Sequence, residues 1–177
     1  TIDPSSKKGD DAVKYFVGLL VPRKDMDAYT NLNEYTSYIK SMPKTLQGEK
    51  VKSHGEWLIA NYLWTMSIPY EYERVYEGQP GQNQGHKPDF HVTGTDIYIE
   101  YFGIDKDGRT HPGIPSETYN STIEWKRGIH KANGSSLIEL TYQDLIEKRL
   151  TSKLHQALQS KEIKLTRRSN HEVLQQA

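Results

Sequence analysis

With 177 residues, no cysteine, and 23 basic residues set against 23 acidic ones, the chain is one domain in size. It has no disulfide, thiolate zinc site or cysteine nucleophile, and no global field to draw a polyanion. A hydrophobic share of 34%, a mean hydropathy of -0.81 and 26% charged residues describe a wet globular chain, while 12 tyrosines argue against disorder throughout.

The apolar residues of Asp10 to Leu20 (Val13, Phe16, Val17, Leu20) and of Asp25 to Met42 (Tyr35, Tyr38, Ile39, Met42) recur at helical spacing. Pro22 and Pro43 break them, so residues 1–45 read as a helical flank. After a polar connector, "HGEWLIANYLWTMS" predicts a helix from His54 to about Ser67, with Leu58, Ile59, Tyr62, Leu63 and Met66 in one stripe. Then come a strand in "IPYEYERVY", a glycine-rich loop "EGQPGQNQG", and two strands, "HKPDFHV" and "IYIEYFG", joined as a hairpin by "TGTD". A helix over about Ser116 to Ala132 closes at "NG", a short strand "SLIELTY" follows, and a last long helix runs from Gln143 to about Ser160. Residues 161–177 read as a C-terminal tail. No window reaches the apolar length of a membrane span, and the start lacks the basic-then-apolar order of a signal peptide. We expect a soluble, cytoplasmic chain with no membrane partner. It does not open with Met and is expected to be a fragment of something longer. It has no G-x-x-x-x-G-K-[ST] phosphate loop.

The chemistry lies in a few letters. Glu100 stands among isoleucines and aromatics in "DIYIEYFGID", where an uncompensated carboxylate costs several kcal/mol, so it needs a partner or a metal. Strand alternation puts Tyr98, Glu100 and Phe102 on one face, and Asp89 with His91 opposite Phe90 and Val92; hairpin pairing then brings Asp89 and Glu100 side by side. Glu56 falls at the edge of the helix stripe, where it is either a site acid or the back-folded Glu of the capping box "SHGE" begun by Ser53. Lys126 and His130, one turn apart, share an arc with Tyr119 and Ile123. They are either a snorkelling Lys with a His at the core rim or functional groups.

An acid on a helix, "KPDF" opening one strand, "YIEYFG" in the next and a helix behind resemble the core of PD-(D/E)xK nucleases. More narrowly, "GEKVKSHGEWLIANYLWTMSIPYEYERVY", "HKPDFHV", "DIYIEYFGID" and "IEWKRGIHKANGSSLIELTY" look like the nuclease-like module inserted in bacterial superfamily 1 DNA helicases of the helicase IV, UvrD and Rep class. The resemblance implies an α/β fold, a restriction-endonuclease-like mixed β-sheet flanked by helices (αβββαβ), over residues 46–160. It implies metal-dependent DNA cleavage, with Asp89 and Glu100 as ligands of Mg²⁺ or Mn²⁺ and Glu56 as the helix acid. Its partners would be DNA and the rest of a helicase polypeptide, in repair, recombination or defence. The pattern wants a Lys two residues after the Glu, and this chain has Phe102; Lys126 is the candidate replacement. Lys52, Lys106, Arg109, Arg127, His130 and Lys131 are candidate DNA contacts. The competing readings are a catalytically inactive insert that keeps the fold and binds DNA, and a module that docks to the helicase body.

Overall fold

In a computed structural model, Tyr29 and residues 31–78, 85–111 and 113–177 are described. The helix expected over Asp10 to Leu20 lies outside the described residues, as does the start of the second. What is described of that second helix is α1 (Leu32–Ser41), which begins where Asn31 accepts the Glu34 amide at 3.0 Å and ends at Met42, held extended by the following Pro43.

The remaining elements are α2 (His54–Thr65), β1 (Tyr70–Tyr72), β2 (Phe90–Val92), β3 (Ile97–Phe102), α3 (Ser116–Asn133), β4 (Ser136–Thr141), α4 (Tyr142–Ile146), α5 (Leu150–Ser160) and α6 (Asn170–Gln176). They form an α/β fold around a four-stranded mixed sheet in the order β1-β2-β3-β4. The first three strands are antiparallel, and β4, reached through the α3 crossover, lies parallel to β3. Among the described residues no helix is long and apolar enough to cross a membrane.

Alternation along the strands separates two faces. Phe90, Val92, Ile97, Ile99, Ile138 and Leu140 point to one side, where Ile59, Ala60 and Leu63 of α2 and Leu150, Leu154 and Leu158 of α5 close a dry core. Tyr98, Glu100 and Phe102 point to the other side, toward α3. Gly134 at φ 68° ends α3 in the left-handed conformation, as "NG" predicts.

Three expectations are corrected. The stripe expected on α2 is too narrow: Trp57 packs with Ile39, Met42 and Val51, and Trp64 contacts Leu46 and Val173, so the helix buries most of its circumference. β1 spans only three residues, because Glu73 takes a positive φ of 49° and ends regular pairing. The single helix expected from Gln143 to Ser160 is two. Thr141 and Asp144 form a capping box that starts α4, Lys148 at φ 57° stops it, and Arg149 and Lys153 turn back to the Asp144 carboxylate at 2.8 Å each.

Candidate active site

Gly55, in the first turn of α2, lies over the Tyr101 ring so closely that a Cβ there would stand 2.1 Å from its Cζ. This approach brings the start of α2 onto the end of β3 and sets Glu56 beside the strand acids. Ser53 caps α2 through the Glu56 amide at 3.1 Å, and Ser53 Oγ bonds Glu56 Oε1 at 2.9 Å. The capping-box expectation needs one correction: the amide that Glu56 takes back is that of Lys52, at 3.0 Å, one residue before the cap. The Tyr72 hydroxyl adds a bond to Oε2 at 2.6 Å. Burial pushes the Glu56 carboxyl up, against the lowering effect of these three donors.

Phe90 pairs with Ile99, so Asp89, one residue before it, comes level with Glu100, one residue beyond. Asp89 Oδ2 accepts the Tyr101 amide at 2.7 Å. Burial, then the neighbouring Glu100 and Glu56 charges, raise the Asp89 carboxyl well above its ordinary range, while Lys126 and the Tyr101 amide oppose them. Mutual repulsion of this kind records three acids gathered at one end of the sheet.

Glu100 is 0% exposed. Its Oε2 accepts a 2.6 Å bond from Lys126 Nζ, which answers what compensates the buried charge. Burial alone would raise the Glu100 carboxyl, but the His86 ring and the Lys126 ammonium outweigh it and hold the group below its ordinary range. The Lys126 ammonium stands 5.6 Å over the ring of Phe102. Residue 102 therefore brings no charge to the acids but lies under the side chain that does. Lys126 itself is buried enough to disfavour its charge, yet Glu100 and Asp89 raise its pKa.

On the other oxygen of Glu100 sits a group that the sequence reading passed over. His86 Nε2 lies 3.2 Å from Glu100 Oε1, and His130 completes a set of three residues that offer one ligand atom each, all within 4.8 Å of one another. All three residues are buried. Burial first, then the neighbouring His86 and Lys126 charges, lower the His130 pKa to about 4, so this ring is neutral at neutral pH. The available signal for His86 was its place in "HKPDF", three residues before Asp89 on the same extended segment.

The expected DNA contacts separate. Lys52 is 71% exposed on its side chain and pairs with Glu73. Arg127 is engaged by Glu139 at 2.5 Å and Glu124 at 2.5 Å, and Arg109 by Asp105 and Asp107 at 2.9 Å each. Lys106 and Lys131 are exposed. His130, 2% exposed, faces the interior instead of a solvent-side polyanion. Beside Glu56 and Lys52 opens a cavity of about 200 Å³ walled by Tyr35, Tyr38, Tyr101, Tyr119 and Tyr142.

Comparisons of the chain with protein-family profiles, with curated proteins and with solved structures return no match.

Proposed function

We propose that the chain is a metal-dependent nuclease module of the PD-(D/E)xK, restriction-endonuclease-like kind, part of a larger DNA helicase and acting on phosphodiesters of DNA. The observation that carries this reading is the ammonium of Lys126 at 2.6 Å from Glu100, beside an Asp89 whose carboxyl is raised by burial and then by the Glu100 and Glu56 charges. A lysine among acids at the end of a mixed sheet is the equipment such hydrolysis needs, and a lysine borne on α3 replaces the one absent at Phe102.

The donor set suits a hard divalent cation. Asp89 keeps one carboxylate oxygen with no protein donor among the described residues, and Glu100 would add Oε2, the oxygen on the Lys126 side, so Mg²⁺ or Mn²⁺ would find oxygen ligands from two strands. When bound, that ion supplies an acidified water and neutralises charge on the phosphate. The protein's own part is positional. Lys126 carries a permanent positive charge to the oxygen on which negative charge grows. Glu56, fixed by Ser53, Lys52 and Tyr72, orients a water or ligand beside Asp89. The tyrosine-walled cavity lets a base flanking the scissile phosphate stack, and the exposed Lys52 at its rim meets the backbone.

One observation favours the second reading, an insert that binds DNA without cutting it: the same Lys126 bond occupies Glu100 Oε2, and Phe102 is buried where the usual lysine would be. The two separate in one experiment. Labelled single- and double-stranded DNA is incubated with the chain and Mg²⁺, Mn²⁺ or EDTA. The nuclease reading requires cleavage that EDTA abolishes and that Lys126→Ala slows by about 10²- to 10³-fold with little change in DNA affinity. Binding without cleavage in either metal selects the inactive insert, and cleavage that survives EDTA rejects the metal mechanism.

A further inference from the structure

His86 Nε2, Glu100 Oε1 and His130 Nε2 are buried without a well-aligned hydrogen bond, and the three residues offer one ligand atom each within 4.8 Å of one another. Leaving a buried polar atom unpaired costs about 1–3 kcal/mol; the 3.2 Å His86–Glu100 contact offsets part of that cost, and among the described residues no hydrogen bond offsets it at His130 Nε2. We propose that His86, Glu100 and His130 form a site for a divalent transition metal ion of the zinc class, distinct in ligand chemistry from the Mg²⁺ or Mn²⁺ site proposed at the strand acids. The proposal does not depend on nuclease activity.

Four features fit it. Two borderline imidazoles with one hard carboxylate are a nitrogen-rich donor set, which suits Zn²⁺ and its neighbours in the first transition row better than Mg²⁺. The ligands come from three separate places, the segment leading into β2, the middle of β3 and the last turn of α3, so an ion would tie the crossover helix to the sheet. The second nitrogen of His130 is engaged: Nδ1 lies 2.8 Å from Ser135 Oγ, which in turn lies 2.7 Å from the Tyr76 hydroxyl. In the tautomer whose Nδ1–H donates to Ser135 Oγ, Nε2 carries the lone pair, the outer-layer arrangement by which proteins orient metal-bound histidines. His86 is fixed at its backbone, where its carbonyl accepts the Tyr76 amide at 2.8 Å.

Aromatic rings cover these atoms. Tyr76, Tyr98 and Trp125 pack around the two imidazoles, with Tyr76 and Trp125 edge-on at 5.0 Å and 5.4 Å. Among the described residues Lys126 is the Lys or Arg paired with Glu100, and its bond goes to Oε2, the carboxylate oxygen opposite the one that His86 approaches. Glu100 is thereby divided, with Oε2 on the side of the ammonium and the hard-cation site and Oε1 on the side of the histidines. Three protein ligands leave at least one coordination position for water or a small ligand.

The test titrates the full chain with Zn²⁺ and with Co²⁺, without nucleic acid and in excess Mg²⁺ so that the oxygen-rich site is saturated. Expected are one ion per chain, a Co²⁺ visible spectrum of low-coordinate nitrogen and oxygen ligation, and a rise in melting temperature with Zn²⁺. His86→Gln and His130→Gln should each weaken binding at least about 100-fold, since even outer-layer partners of metal ligands are worth 10- to 100-fold, and Ser135→Ala about 10-fold. Asp89→Asn should retain the zinc-class ion whatever it does to cleavage, so failure of the nuclease reading leaves this outcome untouched. X-ray absorption of the Zn²⁺-loaded wild type needs no variant to fold, and should give scattering from two imidazoles. An absorption spectrum without imidazole ligands, no stoichiometric binding in excess Mg²⁺, or unchanged affinity in folded histidine variants overturns the proposal.

Discussion

The two faces of the sheet are built from the same strand and behave as different materials. Along β3, Ile97, Ile99 and Tyr101 join the core shared with α2 and α5, while Tyr98, Glu100 and Phe102, interleaved with them, meet α3 amid histidines, a lysine and aromatic rings. The apolar face gains free energy from burial alone, at roughly 25 cal/mol per Å². On the α3 face burial is a cost, met by pairing Glu100 with Lys126. Residues that hold the fold and residues that hold the chemistry can therefore be perturbed separately, although each is a neighbour of the other in sequence.

Truncation on the core face should have the largest effect on stability. Ile99→Ala, at a fully buried position, should remove about 2–5 kcal/mol from the unfolding free energy in denaturant titration. It should leave metal-dependent cleavage per folded molecule near wild type. A loss of cleavage as severe as that of Lys126→Ala would show that the two faces are not separable.

Next in size is a buried acid whose role is structural. Asp144 takes the Thr141 amide at 2.9 Å and the side chains of Arg149 and Lys153; burial tends to raise its pKa, but these partners prevail and lower it. Asp144→Ala should cost about 2 kcal/mol at neutral pH through the lost cap and charge-assisted bonds. Because the folded pKa is depressed, this stability is present above the ordinary aspartate value of about 3.9 and is lost as pH falls through the lower folded value. Denaturation of wild type and variant at neutral pH and near pH 3 should show the gap narrowing with acid, and a constant gap would reject the ionic account.

Asp89→Asn should have the smallest effect on stability, and its sign sharpens the contrast. The carboxamide oxygen can still accept the Tyr101 amide, and removing one negative charge from beside Glu100 and Glu56 relieves repulsion. Metal-free melting should change by no more than about 1 kcal/mol or move upward, with metal-dependent cleavage lost. A large destabilisation would make Asp89 a structural acid like Asp144.

Much of the local architecture was legible in the residues. The order of helix, three strands, helix and strand followed from apolar periodicity and from turn letters such as "TGTD" and "NG". The shared face of Tyr98, Glu100 and Phe102 followed from the two-residue repeat of a strand, and the inward arc of Ile123, Lys126 and His130 from the helical repeat. The break between α4 and α5 was not legible, because helical periodicity is continuous across it and the break depends on Asp144 drawing Arg149 and Lys153 together.

The tertiary structure alone decided how the groups meet. Nothing in the order of letters measures the distance between His86, Glu100 and His130, because their convergence needs the β2–β3 pairing and the packing of α3 at once. Nor do residue types state which of these acids are held ionised. Asp144 and Glu100 lie below their ordinary range and Asp89 above it, a difference set by the cations and carboxylates that the fold brings within a few ångströms. Periodicity is a property of neighbours along the chain, and assigns faces. Charge compensation acts through space in a low-dielectric interior, and only the packed chain determines it.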